Sequence, residues 1–104
     1  MVQKLQKMRF LNSEKELTPE TVIQRKPGLL FNEIDGEIVM LSIENSEYYG
    51  LDKVGSRIWE LIEKPVTIKE LVSNLLVEFD VDENRCWNET TNFLSRLDEK
   101  KLLV

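Results

Sequence analysis

Residues 47–64 read EYYGLDKVGSRIWELIEK, and the way this stretch divides decides the fold. Asp52 is a residue type that caps helices, because its carboxylate accepts from the unpaired N–H groups of a first turn. Beyond it Val54, Ile58, Leu61 and Ile62 recur at the spacing of one helical face, and Pro65 cannot continue the run. The pattern predicts a helix that starts after Asp52 and is over by Pro65. Tyr49, Leu51, Ile58 and Trp59 are then core anchors, and Gly55, having no Cβ, lets the helix pack closely against a sheet.

That sheet is expected upstream. From Val22 the chain alternates short apolar runs with turn residues: VIQR, then Lys26-Pro27-Gly28, then LLFNEI, then Asp35-Gly36, then EIVMLSI. Pro-Gly and Asp-Gly between strand-like runs are hairpin signals, since Gly tolerates the positive φ of tight turns. A three-stranded antiparallel meander over residues 22–43 follows. In its third run Val39, Leu41 and Ile43 alternate with Ile38 and Met40, so both faces are apolar and something is expected to cover the second. Residues 1–21 are polar, lack a helix cap and close at Pro19, so they read as a flexible arm before a domain at 22–104.

Downstream, Thr67 with Glu70 forms a capping box, and Ile68, Leu71, Val72, Leu75, Leu76 and Phe79 mark one face of a second helix. Asp82 caps a third, whose apolar stripe runs through Cys86, Thr90, Phe93, Leu94 and Leu97 toward the terminal KKLLV. Three strands followed by three helices make an α+β domain of winged helix-turn-helix type, with the meander as the wing.

Composition narrows the function. The chain has 104 residues, 41% of them hydrophobic and 32% charged, which suits one globular domain. Nineteen acids against fourteen bases, net charge -5, disfavour a phosphate backbone as partner. The third helix repeats the objection. Over residues 82–101 it sets Arg85, Arg96, Lys100 and Lys101 against Asp82, Glu83, Glu89, Asp98 and Glu99, so a winged-helix DNA-binding regulator stands only as the alternative.

With no histidine and a single cysteine, the chain lacks the usual means of metal and nucleophilic catalysis. No enzyme activity, metal or cofactor is expected, and Cys86 reads as a small buried hydrophobe. Asp80, Asp82 and Asn84 begin a calcium-loop pattern, but Arg85 stands where the loop needs Gly and Thr91 where it needs a bidentate Glu. Asn88-Glu89-Thr90 fits a glycosylation sequon inside a helix and is set aside. No apolar run reaches the roughly 18 residues of a membrane span, and no signal peptide is evident, so a cytoplasmic protein away from membranes is expected.

At YYGLDKVGSRIW the sequence resembles the PqqD-like family, the leader-peptide recognition domains also called RiPP recognition elements, which serve ribosomally made, post-translationally modified peptides. The family pattern Tyr-x-Leu-Asn-x-x-Gly-x-x-Ile-Trp is met by Tyr49, Leu51, Gly55, Ile58 and Trp59, with Asp52 in place of Asn and Lys101 where Gly is common. A domain of this size without an attached enzyme is most similar to the stand-alone leader-binding proteins of lasso-peptide pathways. The resemblance implies a non-catalytic module that captures the leader of a precursor peptide as an added strand and delivers it to a separate leader peptidase or other maturation enzyme.

Residues implied in binding are Glu37, Ile38, Val39, Met40, Leu41 and Ser42 on the last strand, with backbone groups of 37–43 holding the peptide. Arg85, Cys86, Glu89, Thr90 and Phe93 face them on the third helix, Glu89 matching an acidic position of the family. An unpaired edge also favours self-association.

Overall fold

The computed structural model describes residues 17–42 and 46–104. The elements are β1 (Val22–Ile23), β2 (Leu30–Ile34), β3 (Glu37–Ser42), β4 (Glu47–Gly50), α1 (Lys53–Leu61), β5 (Val66–Thr67), α2 (Ile68–Glu78) and α3 (Glu83–Glu99). A three-stranded antiparallel sheet followed by three helices gives the expected α+β class.

The helices begin where short-range chemistry places them. Asp52 accepts from the Gly55 N–H at 2.8 Å, and Asp82 from the Arg85 N–H at 2.8 Å. Thr67 and Glu70 close both halves of the capping box. Helix α1 stops at Leu61, ahead of Pro65, with Ile62 as its cap. At the end of α3 the Lys101 N–H donates to the Asp98 carbonyl and the Leu102 N–H to the Leu97 carbonyl, both at 3.0 Å, which is a Schellman closure. Lys101 accordingly sits at φ 63, in the left-handed region.

The meander contains two of the three runs that the hairpin signals predict, as β2 and β3, but not the first. Its order is β2-β3-β4, so the first run, Val22–Ile23, is not part of it and pairs instead with Val66–Thr67 of β5. The backbone of residues 24–26 is already committed. Arg25 N–H donates to the Ile62 carbonyl and Lys26 N–H to the Leu102 carbonyl, while the Gln24 carbonyl accepts from Val104. The Pro27-Gly28 turn, with Gly28 at φ 78, therefore leads from one sheet into another rather than closing a hairpin. Asp35-Gly36 does close one: both residues have positive φ, 53 and 83, as a type I′ turn requires.

The third strand is the opening stretch itself, Glu47–Gly50, paired to β3 from Ser42↔Glu47 to Val39↔Gly50. Residues 37–42 thus lie in the central strand and not at an edge. The placement of a peptide-accepting border on 37–43 is corrected accordingly, because β3 carries ladders on both sides; Ile43 lies outside the described residues.

Ile38 and Met40 point into the core, 3% and 2% exposed, with Trp59, Ile62, Ile68, Leu71, Leu75 and Leu94. The opposite face carries Leu30, Ile34 and Tyr48, which are exposed, alongside half-buried Val39 and Leu41. The arm reading falls mostly on residues 1–16, outside the described residues, but its last part is docked. The Thr21 carbonyl accepts from Ile68 N–H, the Pro19 carbonyl accepts from Lys69 N–H, and Leu17 packs on the core.

Candidate functional site

In an antiparallel ladder, successive residues turn their N–H and C=O groups alternately toward one neighbour and the other. The phase in β3 is set by Ile38, whose N–H donates to Ser56 Oγ at 2.8 Å and whose carbonyl accepts from Leu51 N–H at 2.8 Å, both on the β4 side. Met40 and Ser42 therefore face their β4 partners Tyr49 and Glu47. The groups left pointing outward from β4 are those of Tyr48 and Gly50. Among the described residues no strand pairs with that outer edge.

Helix α3 runs alongside the same edge, in the opposite sense to β4 and the start of α1. At one end Lys100 Nζ lies 3.4 Å from Glu47 Oε1 and 5.4 Å from the centre of the Tyr49 ring, and Tyr49 Oη donates to Glu47 Oε1 at 2.6 Å. That hydroxyl, and then Lys100, hold the Glu47 carboxyl below its ordinary range. Two turns back along α3, Phe93 closes against Gly55, where an added Cβ would sit 3.4 Å from Phe93 Cε1 and 3.3 Å from Asp52 Oδ1. A side chain at position 55 would thus press on the Asp52 cap and touch Phe93 of α3, rather than meeting the sheet as the sequence suggests.

Further back still, a cavity of about 250 Å3 opens between the start of α1, the end of α2 and the first half of α3. Val54, Leu75, Phe79 and Val81 give it an apolar wall, and Asp80, Arg85, Cys86, Glu89 and Thr90 complete it. Arg85 Nε donates to Glu89 Oε2 at 2.8 Å across one helical turn, and this partner pushes the already charged guanidinium's pKa further up. The paired charges stand at an apolar opening of the size that takes a side chain.

Of the residues the sequence points to, the structure brings Arg85, Cys86, Glu89 and Thr90 onto this one cavity. Phe93 lies one turn further on, half-buried, between the cavity and β4. Ile38 and Met40 are buried, Val39 and Leu41 are on the outer face of the sheet, and Glu37 is exposed beside the type I′ turn. The Ser42 backbone is in the β4 ladder. Sequence reasoning missed Tyr48 and Gly50 as the edge, Val54 as a cavity wall, and the Glu47–Lys100 link. Two adjacent tyrosines, a strand-favouring type, were the available signal.

Chemically the site suits binding. Burial pushes the Cys86 thiol upward, against a weak Thr90 contact at 4.0 Å, so it is protonated and inert at neutral pH. Among the described residues no group of three or more acidic, Cys or His side chains is placed to hold a metal, and no helix is long and apolar enough to cross a membrane.

The family described as coenzyme PQQ synthesis protein D (PqqD) matches residues 37–103, well over half of the chain and including β3, β4 and all three helices. The chain belongs to the PqqD family. Among solved structures, the PqqD-family chain is similar to TbiB1 in complex with the TbiA(beta) leader peptide. The two are 35% identical over 77% of this chain and 93% of that one, with a TM-score of 0.69. Two more distant structures share the fold. One is a lasso peptide synthetase B1 complexed with the leader peptide, at 16% identity, covering 79% of this chain and 96% of that one, TM-score 0.68. The other is the solution NMR structure of the PqqD truncation of Methylobacterium extorquens PqqCD, a functional and stand-alone RiPP recognition element. It is 18% identical, covers 86% of this chain and 95% of that one, and has a TM-score of 0.70. Comparison with curated protein sequences gave no match.

Proposed function

We propose that this PqqD-family protein is a non-catalytic module that binds the leader of a ribosomal precursor peptide in lasso-peptide biosynthesis. The leader adds as an extended strand to the outer edge of β4, hydrogen-bonding the outward groups of Tyr48 and Gly50, and its side chains enter the cleft between β4 and α3. The observation that carries the reading is an edge with no paired strand among the described residues, which the end of α3 meets at the Lys100–Glu47 link, with an apolar cavity further back along the same helix. Its likeness to TbiB1, solved with a leader peptide, supports it. An apolar leader side chain seated between Val54, Phe79 and Val81 supplies affinity, and the Arg85–Glu89 pair at the opening reads its polar neighbours. The bound leader is passed to a separate maturation enzyme, a leader peptidase, in the cytoplasm.

Proline at position 48 tests this. The Tyr48 N–H points away from β3, so Tyr48→Pro deletes an outward donor while leaving the β3–β4 ladder whole, the one way an edge strand tolerates proline. Fluorescence anisotropy with the labelled leader of the precursor encoded beside this gene is expected to show binding weakened about tenfold, with the unfolding midpoint little changed. A folded Tyr48→Pro protein with wild-type affinity would refute strand addition at β4. Met40→Pro is not the equivalent test, because Met40 is buried and its N–H faces the Tyr49 pair.

The DNA-binding alternative gains nothing from the structure. Helix α3 presents Glu83, Glu89, Asp98 and Glu99 against Arg85 and Arg96, and no salt-dependent binding to a duplex is expected.

A further inference from the structure

The opposite edge of the same sheet holds a second, chemically different concavity. Residues 24–32, QRKPGLLFN, contain two cations and no acid in a chain of net charge -5. There a cavity of about 300 Å3 is lined by Arg25, Lys26, Leu29, Phe31 and Trp59, and Glu63 is also in its lining. The Arg25 guanidinium carbon stands 5.0 Å from the centre of the Phe31 ring and 5.0 Å from that of Trp59. The two rings meet edge-on, centres 6.1 Å apart at 81°, so the guanidinium fills the corner between them.

Its backbone is held as well, by Ile62 and by a bridge to Leu103. Of the five N–H donors of this guanidinium, one is committed among the described residues, from Nη1 to the Trp59 carbonyl at 2.9 Å. Among the described residues no carboxylate, Glu63 included, comes within 4.0 Å of it as an ion pair. A rigid, half-buried arginine with unspent donors and an aromatic wall is organised for a planar acceptor.

The cavity also adjoins an unpaired strand edge. By the phase that Ile38 sets, the N–H and C=O groups of Phe31 and Glu33 point away from β3, and among the described residues no strand pairs there. A residue opposite Phe31 on an added strand would place its side chain on the same face, roughly 5 Å from that of Phe31, and so toward Arg25. We propose that the β2 edge and the Arg25 cavity together receive an extended acidic segment of a partner protein, with a glutamate or aspartate carboxylate taken up by Arg25 beside Lys26. Because β2 and β4 are opposite borders of one sheet, this partner and a peptide on β4 can be held at once, and the inference does not depend on what β4 binds.

The test is a titration of the full 15N-labelled chain with the capped peptide acetyl-Thr-Val-Glu-Val-Thr-amide and its Gln counterpart. The Glu peptide is expected to give saturable shifts of the Arg25 Nε–H signal and of the Phe31 and Glu33 amides. The Gln peptide should bind about fivefold more weakly, and Tyr48 and Gly50 should stay unmoved. In Arg25→Gln the preference for Glu should vanish, and since the Glu and Gln peptides are compared on the wild-type chain, the result stands even if that variant fails to fold. Equal affinity for the two peptides, no saturation up to about 10 mM, shifts at Tyr48 and Gly50 instead, or burial of β2 in a concentration-dependent dimer of the chain alone would each overturn the proposal.

Discussion

Ser56 ties together Ile38 and Leu51 a second time, where the Leu51 N–H already donates to the Ile38 carbonyl at 2.8 Å. Its Oγ accepts from Ile38 N–H at 2.8 Å and donates to the Leu51 carbonyl at 3.2 Å, in a side chain only 4% exposed. Ser56→Ala leaves a buried donor and a buried acceptor without partners. A loss of about 1–3 kcal/mol is expected, read as a lower urea midpoint at unchanged slope. Lys101 presents the opposite case. A side chain at φ 63 costs about 1–2 kcal/mol, while glycine there loses about 0.5–1 kcal/mol to chain entropy, so Lys101→Gly is expected to raise stability by about 0.5–1 kcal/mol in the same measurement. The caps at Asp52, Thr67 and Asp82 were legible in the sequence because each donor is three residues from its acceptor. Ser56 was not, since the N–H it accepts from is 18 residues away and belongs to another element.

Among elements, β4 matters most and was hardest to read. It is four residues long and ends in Gly50, and the turn signals place the last strand of the meander on the longer apolar run of β3 and its first strand at Val22. Its position relative to α3 depends partly on Glu47, whose carboxylate receives Tyr49 Oη and Lys100. The folded-state pKa of Glu47 is lowered below its unfolded value, so whatever this cluster contributes is present above the ordinary carboxylate range and is lost as pH falls through the lowered pKa. Glu47→Gln should melt below the wild type at neutral pH, and the gap should close as pH falls through the lowered pKa of Glu47. A melting difference that persists unchanged at the acid end would mean that the charge is not the source of the link. The helices were legible as elements because their apolar stripes extend over several turns, and a face so repeated survives any tertiary arrangement.

At the scale of the whole molecule, one sheet presents two borders with different company. Beyond β4 lie α3 and an apolar cavity with an Arg85–Glu89 pair at its mouth; beyond β2 lies a cavity with an arginine fixed against two rings. The sequence by itself determined the α+β class, the starts of the helices, the type I′ turn at Asp35-Gly36, the inward role of Trp59 and the family pattern of residues 49–59. Each of these depends on contacts within a few residues or on a periodicity that a single helix or strand must satisfy. Only the tertiary structure decided which strand is central and which are edges. Strand order is set by competition for backbone partners, and residues 24–26 had already been taken by the end of α1 and the C-terminal residues. The pairing of Val22–Ile23 with β5 follows from the same competition, between segments more than 40 residues apart, where no local preference in the chain can decide.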